Sequence, residues 1–308
     1  MIVDCYTHYW RSPSQVGLTG NLAGPPATAP FRHDDHDAPL DAGAERHFAA
    51  CEPVDKTIVL GFESAYLNAS VPNDQVAEYV QRHPDKLIGF AGIDPSNPKR
   101  AIEAMTYAKA ELGMRGLSIA PAAQDVHPTA STAMKVYEAA ADLDLPVLFH
   151  SGPYLASQSK MEYAKPILLD EVAREFPSLR MIIAHLGYPW QGETLVLLAK
   201  HANVFSDISW LLHQPWEAYQ ALLSASQYGV TDRLLFGSGF PYTSAANCIE
   251  GLYSLNQLVH GTNLPTLARE ELRSIVERDA LGLLGIGTGH ADNNGQLRPE
   301  PQLLDDDN

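Results

Sequence analysis

The sequence predicts a (β/α)8 barrel, and three observations carry that reading. Two apolar runs, residues 146–149 and 181–184, are too short for helices and read as strands buried on both faces. Each leads into a histidine followed by a turn residue, His150-Ser151-Gly152 and His185-Leu186-Gly187. One helical segment, 166–176, lies between them, which is the rhythm of parallel α/β units and puts both imidazoles at C-terminal strand ends. The same alternation then extends over the chain until eight strands are counted. The competing architecture, an open doubly wound sheet, would carry a G-x-G-x-x-G turn after its first strand, and none stands there.

Taken in order, residues 2–6 read as the first strand. Residues 11–39 form a long stretch rich in Gly and Pro, ending in the titratable run Phe-Arg-His-Asp-Asp-His-Asp. It reads as a solvated charged loop or as a lid over the first strand's C-terminal end. A helix over 40–51 and a strand over 57–61 follow. Asn73 is expected to cap a helix running to Arg82, which Pro84 stops, before a strand over 87–90. Pro98 opens a helix to Leu112, then come a strand over 114–119, a helix over 131–143, and the fifth strand, 146–149. After the 166–176 helix and the sixth strand, 181–184, the pattern gives a helix over 192–201, a strand over 204–208, a helix over 216–228 and the eighth strand over 233–237. Two helices, 245–259 and 267–281, close a single domain spanning 1–286, and 287–308 reads as a flexible polar tail.

Composition narrows the function classes. The 308-residue chain is 45% hydrophobic, enough for one large core. Its three cysteines are widely spaced, with neither a zinc pattern nor a disulfide framework, which points to a reducing cytoplasm. No apolar run approaches a membrane span, and the first residues lack the features of an export signal. A net charge of −16 argues against nucleic-acid binding and for a soluble acidic protein with a small-molecule substrate, with a homodimer left open.

The chemistry gathers at the strand ends. A single histidine there is more often a hydrogen-bonded core residue, but two at equivalent strand ends point to a site. His8 and Tyr6 at the first strand, His150 at the fifth and His185 at the sixth form the candidate catalytic group, with Asp207 able to orient an imidazole or to sit in a loop network. Tyr154, Tyr188, Trp190, Trp210, His213 and Tyr242 follow strands and together suggest an aromatic-lined pocket for a partly apolar substrate. Glu63 reads as a solvated loop residue.

The segments Val147-Leu-Phe-His-Ser-Gly152, Ile183-Ala-His-Leu-Gly-Tyr-Pro-Trp190 and Leu235-Phe-Gly-Ser-Gly-Phe-Pro241 resemble the amidohydrolase-related family, the branch that includes aminocarboxymuconate semialdehyde decarboxylase. The resemblance implies the barrel, and an enzyme that decarboxylates or hydrolyses. It also implies a divalent metal held by D-x-H-x-H on strand one, a strand-five histidine and the aspartate of F-G-S-D-x-P on strand eight. This chain departs twice: Tyr6 replaces the first histidine and Gly239 the aspartate, while His8, His150 and His185 are kept.

Catalytic zinc normally takes three protein ligands. A metal here would need His8, His150 and His185, with Tyr6 as an uncommon oxygen ligand or His33, His36 or His213 borrowed from loops. The reading that needs no such rebuilding has no firmly expected cofactor. It is acid–base chemistry on a small unsaturated or aromatic carboxylic acid or lactone: decarboxylation, isomerisation, cyclisation or dehydration. A zinc-dependent lactone or amide hydrolase is the alternative. A non-catalytic ligand-binding barrel is the second.

Overall fold

The computed structural model describes residues 1–17, 41–152, 156 and 158–287. Among the described residues ten strands appear in chain order: β1 (Val3–His8), β2 (Lys56–Leu60), β3 (Phe62–Ser64), β4 (Ala69–Val71), β5 (Leu87–Gly92), β6 (Gly116–Ile119), β7 (Val147–Phe149), β8 (Met181–Ile183), β9 (Val204–Asp207) and β10 (Leu234–Leu235). Eight of them form one sheet in the order β1-β2-β5-β6-β7-β8-β9-β10, every pair parallel. The seam between β10 and β1 is closed by Cys5 N–H to the Phe236 carbonyl at 2.9 Å, Gly239 N–H to Tyr6 at 3.0 Å and His8 N–H to Phe240 at 3.0 Å. The predicted (β/α)8 barrel is the observed fold.

Two apolar layers hold it. Inside the barrel, Cys5, Ile58, Leu60, Phe90, Leu148, Ile182 and Leu235 pack together with Leu281, Leu284 and Ile286 from the end of the described chain. A second, larger cluster fills the space between sheet and helices. This two-sided burial is why β7 and β8 read as unbroken apolar runs. His47, fully buried on the helix Ala44–Ala50, ties that helix to the barrel through Thr7 Oγ1 at 2.8 Å and Tyr79 Oη at 2.9 Å. Thr7 Oγ1 donates to the Ile58 carbonyl, so it accepts from His47 Nε2–H, and the ring is held in one tautomer.

Several boundaries differ from the sequence reading. β1 runs on to His8, with a register slip against β2 between Asp4 and Thr7 that re-aims the strand where it meets the site. Asn73 is the first residue of its helix rather than its cap; its amide instead accepts from Gly92 N–H at 2.8 Å and donates to the Gly92 carbonyl at 3.2 Å. The 166–176 helix is a 3-10 turn, Pro166–Leu169, leading into Asp170–Glu175. The last expected helix breaks into Arg269–Val276 and Ala280–Leu283, the second capped by Asp279. The hairpin β3–β4 and the short helix Pro121–Gln124 are elements that the periodicity did not predict. Of the lid expected over 11–39, only 11–17 are described, with a 3-10 turn at Pro13–Val16; His33, His36 and the 288–308 part of the expected tail lie outside the described residues. Among the described residues, no helix is long and apolar enough to cross a membrane.

Candidate active site

The C-terminal strand ends bring one polar chain together inside the barrel mouth. Tyr6 and His8 lie two apart on β1 and face the same side. The Tyr6 hydroxyl is 2.8 Å from His150 Nδ1 and 3.1 Å from His8 Nε2. His150, directly after β7, sets its other nitrogen, Nε2, 2.7 Å from the hydroxyl of Ser118 on β6. His8 Nδ1 is buried and meets no hydrogen-bond partner among the described residues. Two tautomer sets satisfy these distances: with His8 protonated on Nδ1, Tyr6 donates to His8 Nε2, His150 Nδ1–H to the Tyr6 oxygen and the Ser118 hydroxyl to His150 Nε2, and with His8 protonated on Nε2 all three bonds reverse.

A second layer stands behind this chain. The His185 ring is 4.4 Å from the Tyr6 ring and 5.3 Å from that of Trp210, and is 2% exposed. Its Nδ1 is 2.7 Å from Ser209 Oγ, while Asp207 Oδ1 is 3.9 Å away. Ser209 donates its hydroxyl to Asp207, so it accepts from His185 Nδ1–H; the carboxylate acts on the imidazole through the serine. Asp207 also accepts from the backbone N–H groups of Ser209 at 3.0 Å and His185 at 3.2 Å. His185 and Leu186 have φ of 58° and 50°, left-handed conformations that side chains adopt only when their surroundings impose them. Asp4, beneath Tyr6, accepts from the N–H groups of Tyr6 and Ser238 at 3.2 and 2.8 Å and so joins β1 to the turn after β10.

Burial sets the electrostatics. It pushes His8 down to about 4 and His185 to about 3, and with the neighbouring His8 and His185 it holds His150 well below the usual imidazole range. It pushes the carboxyls the other way, Asp4 up to about 6 and Asp207 up to about 7, against the hydrogen bonds that stabilise their charge.

Gly239 has φ +79°, and a Cβ built there would meet the Trp210 ring at 2.7 Å. The indole therefore fills the space that a side chain at 239 would take. Trp210 also meets Tyr242 edge-on at 4.9 Å. The cavity over the polar chain is lined by Tyr6, His8 and His150 at its polar end and by Trp10, Val16, Phe62, Leu67, Ala120, Ala122, Ala123, Ala156, Trp210 and Tyr242.

Of the residues expected from sequence, Tyr6, His8, His150, Trp210 and Tyr242 thus meet in one cavity. His185 and Asp207 form the layer behind it. Tyr188 packs against the outer core and donates to Gln214 at 3.3 Å; neither it, Trp190 nor His213 is among the described residues lining the cavity. Tyr154 lies outside the described residues. Glu63 pairs with Arg100 at 2.8 Å. Ser118 and Ser209, which hold the two imidazoles, were missed; a lone serine in or just after a buried strand is the only signal that either leaves.

The sequence model of the family described as Amidohydrolase matches residues 3–286. The chain belongs to this amidohydrolase family. The expectation of an enzyme stands with that membership. Solved structures with the same fold include an uncharacterised TIM-barrel protein of Bordetella bronchiseptica, 21% identical over 92% of this chain and 98% of that one, with a TM-score of 0.67. A dihydroxybenzoic acid decarboxylase of Polaromonas sp. JS666, solved with manganese and 2-nitroresorcinol, is 15% identical over 92% and 97%, TM-score 0.63. A probable 2-pyrone-4,6-dicarboxylic acid hydrolase of Acinetobacter baumannii, with citric acid bound, is 15% identical over 92% and 99%, TM-score 0.63. Among the described residues of this amidohydrolase-family chain, no group of three or more His, Cys, Asp or Glu is placed to hold a metal ion.

Proposed function

We propose that this amidohydrolase-family enzyme moves protons on a small unsaturated or aromatic molecule through Tyr6, without the family's full metal centre. One observation carries the reading: the nitrogens of His8 and His150 that face the site converge on the Tyr6 hydroxyl, at 3.1 and 2.8 Å. The donor set does not fit the metal that the family resemblance implies. His150 has both nitrogens engaged, by Tyr6 and Ser118. The aspartate's place is Gly239, and Trp210 fills the space beside it. No step of the reaction is therefore drawn through a metal.

The chain's own groups supply a complete proton cycle. The Tyr6 hydroxyl gives its proton to the substrate atom that becomes electron-rich. The phenolate left behind is stabilised by His150 Nδ1–H, itself fixed by Ser118. His8 Nε2, relieved of the Tyr6 proton, takes the one that the substrate loses elsewhere, then returns it to the Tyr6 oxygen. Isomerisation, cyclisation and dehydration of an unsaturated ring all reduce to this exchange; decarboxylation uses its first half, with CO2 leaving as the carbon takes the Tyr6 proton and Tyr6 regaining a proton from solvent. The manganese-bound and decarboxylase relatives keep the reading within small aromatic chemistry.

The test is a panel of small unsaturated ring compounds in D2O, followed by NMR for C–H exchange and product. For any compound turned over, Tyr6→Phe is expected to keep its thermal midpoint and lose roughly 10²-fold or more in rate, the scale of one general acid–base group. A well-folded Tyr6→Phe variant with full activity would end this reading.

A further inference from the structure

The layer behind the cavity is fitted around one ring. His185 and the next residue, Leu186, both stand in the left-handed region, at φ 58° and 50°, so their surroundings hold them there. Gly152, φ +125°, keeps a side chain off the Nε2–Cδ2 edge of the ring, since a Cβ there would meet Cδ2 at 3.1 Å. The Tyr6 ring meets His185 edge-on at 4.4 Å. Ser209 takes the opposite edge, with its hydroxyl 2.7 Å and its carbonyl 3.3 Å from Nδ1. A carbonyl only accepts, so Nδ1 carries the proton. The Ser209 hydroxyl gives its own proton to Asp207, so both oxygens of the serine accept from the one Nδ1–H.

Resting on the reading of this barrel mouth as the active site, we infer that Ser209 is a positioning residue: its hydroxyl, fixed by Asp207, holds His185 in the Nδ1–H form and leaves Nε2 as the acceptor on the ring's other edge. The carboxylate does not do this alone. Asp207 gathers the N–H groups of His185 and Ser209 and the Ser209 hydroxyl on Oδ1, which stays 3.9 Å from Nδ1. Its buried Oδ2 meets no partner among the described residues. The serine spans the gap between carboxylate and ring. Room for it comes from Gly237, where a Cβ would meet the Cβ atoms of Tyr6, Ser209 and Asp207 at 3.1, 3.2 and 3.4 Å. The turn after β10 thus carries no side chain where β1 and the end of β9 converge. An imidazole held uncharged by burial has one nitrogen lone pair, and what its N–H binds decides which nitrogen bears it. Without the hydroxyl, Nδ1 keeps only the longer carbonyl bond, and the ring gains access to the Nε2–H form, which offers a donor in place of an acceptor.

The test is nitrogen NMR of the full-length protein carrying isotope-labelled histidine, near neutral pH, with the His185 signals assigned by their loss in His185→Asn. The parent is expected to show His185 as the Nδ1–H tautomer alone. Ser209→Ala is expected to move it toward a mixture of tautomers. For any ring compound turned over, the same variant is expected to lose roughly 10–100-fold in kcat with KM near the parent value, the scale of removing an outer hydrogen-bond partner of a functional histidine. Ser209→Thr, which keeps the hydroxyl, is expected to bring back both the tautomer and most of the rate. A parent spectrum with His185 protonated on Nε2 overturns the inference, whatever the variants do. So does a Ser209→Ala protein whose spectrum and kcat both match those of the parent. The spectrum is read without turnover, which separates this inference from the Tyr6 reading. A shifted tautomer and lost rate in Ser209→Ala beside a fully active Tyr6→Phe would leave this inference standing and end that reading; a parent-like Ser209→Ala beside an inactive Tyr6→Phe would do the opposite.

Discussion

A phenol set between two imidazoles has one proton to share, so its use depends on which ring donates and which accepts. The outer partner of His150 is the Ser118 hydroxyl, 2.7 Å from Nε2, which holds that ring in place. Ser118 touches no cavity space and is a positioning residue. Ser118→Ala is expected to lower stability by ~0.5–1.5 kcal/mol, one net hydrogen bond, and to reduce kcat while leaving KM near its parent value. Ser118→Thr, which keeps the hydroxyl, is expected to restore most of the rate. Unchanged kcat in Ser118→Ala would show that His150 needs no such orientation. The residues of the site were legible in the sequence as types at strand ends: Tyr6, His8 and His150 stand out there because polar rings interrupt apolar runs. Their partnership was not, because whether Tyr6 ligates a metal or bridges two imidazoles depends on sub-ångström placement that no spacing encodes.

At the scale of elements, the site depends on two irregular strands. β1 slips register against β2 between Asp4 and Thr7, and β10 is only Leu234–Leu235 before the chain turns through Gly237 and Gly239. The full-length eighth strand expected over 233–237 stops early because Asp4 takes the Ser238 N–H into a turn at 2.8 Å, and Arg233 lies in a 3-10 turn instead. The missing side chain at 239 and the indole of Trp210 form one packing unit. Gly239→Asp must both enter a left-handed backbone and displace that indole, and is expected to cost roughly 1–3 kcal/mol in urea unfolding. Trp210→Ala should relieve the steric share, so the double variant is expected to be more stable than the two single losses add to. A parent-like midpoint for Gly239→Asp would mean that the indole does not sit where the structure has it. The departure from the family aspartate was plain in the sequence; the tryptophan that fills its place was not, since residues 210 and 239 meet only through the fold.

At the scale of the molecule, the barrel was the most legible feature, because eight buried strands between amphipathic helices leave few other closed solutions. The same burial shapes the stability against pH. His8, His47, His150 and His185 are held neutral, below their ordinary value of 6.5, so the stability that they contribute is present above pH 6.5 and is lost as pH falls toward about 4 and below. Asp4 and Asp207 oppose them: raised from 3.8 to about 6 and about 7, they contribute most at low pH and lose that contribution as pH rises through those values. The four imidazoles outnumber the two carboxyls, so unfolding takes up protons on balance and stability falls as pH is lowered through this range. The thermal midpoint is therefore expected to fall steadily as pH is lowered from 6.5 to 4.5. A flat profile across that range would mean that the barrel's histidines are not held neutral.

The proposal that a phenol between two imidazoles stands in place of the family's metal centre is tested most directly by elemental analysis of the full-length protein. The protein is purified without added metal, and a second sample is incubated with manganese or zinc and then desalted. Both are expected to hold well under one metal per chain, and chelators are expected to leave any activity unchanged. About one tightly bound metal per chain would contradict the account and make His8, His150 and His185 its ligands, at the ~2.0–2.1 Å of zinc–nitrogen bonds.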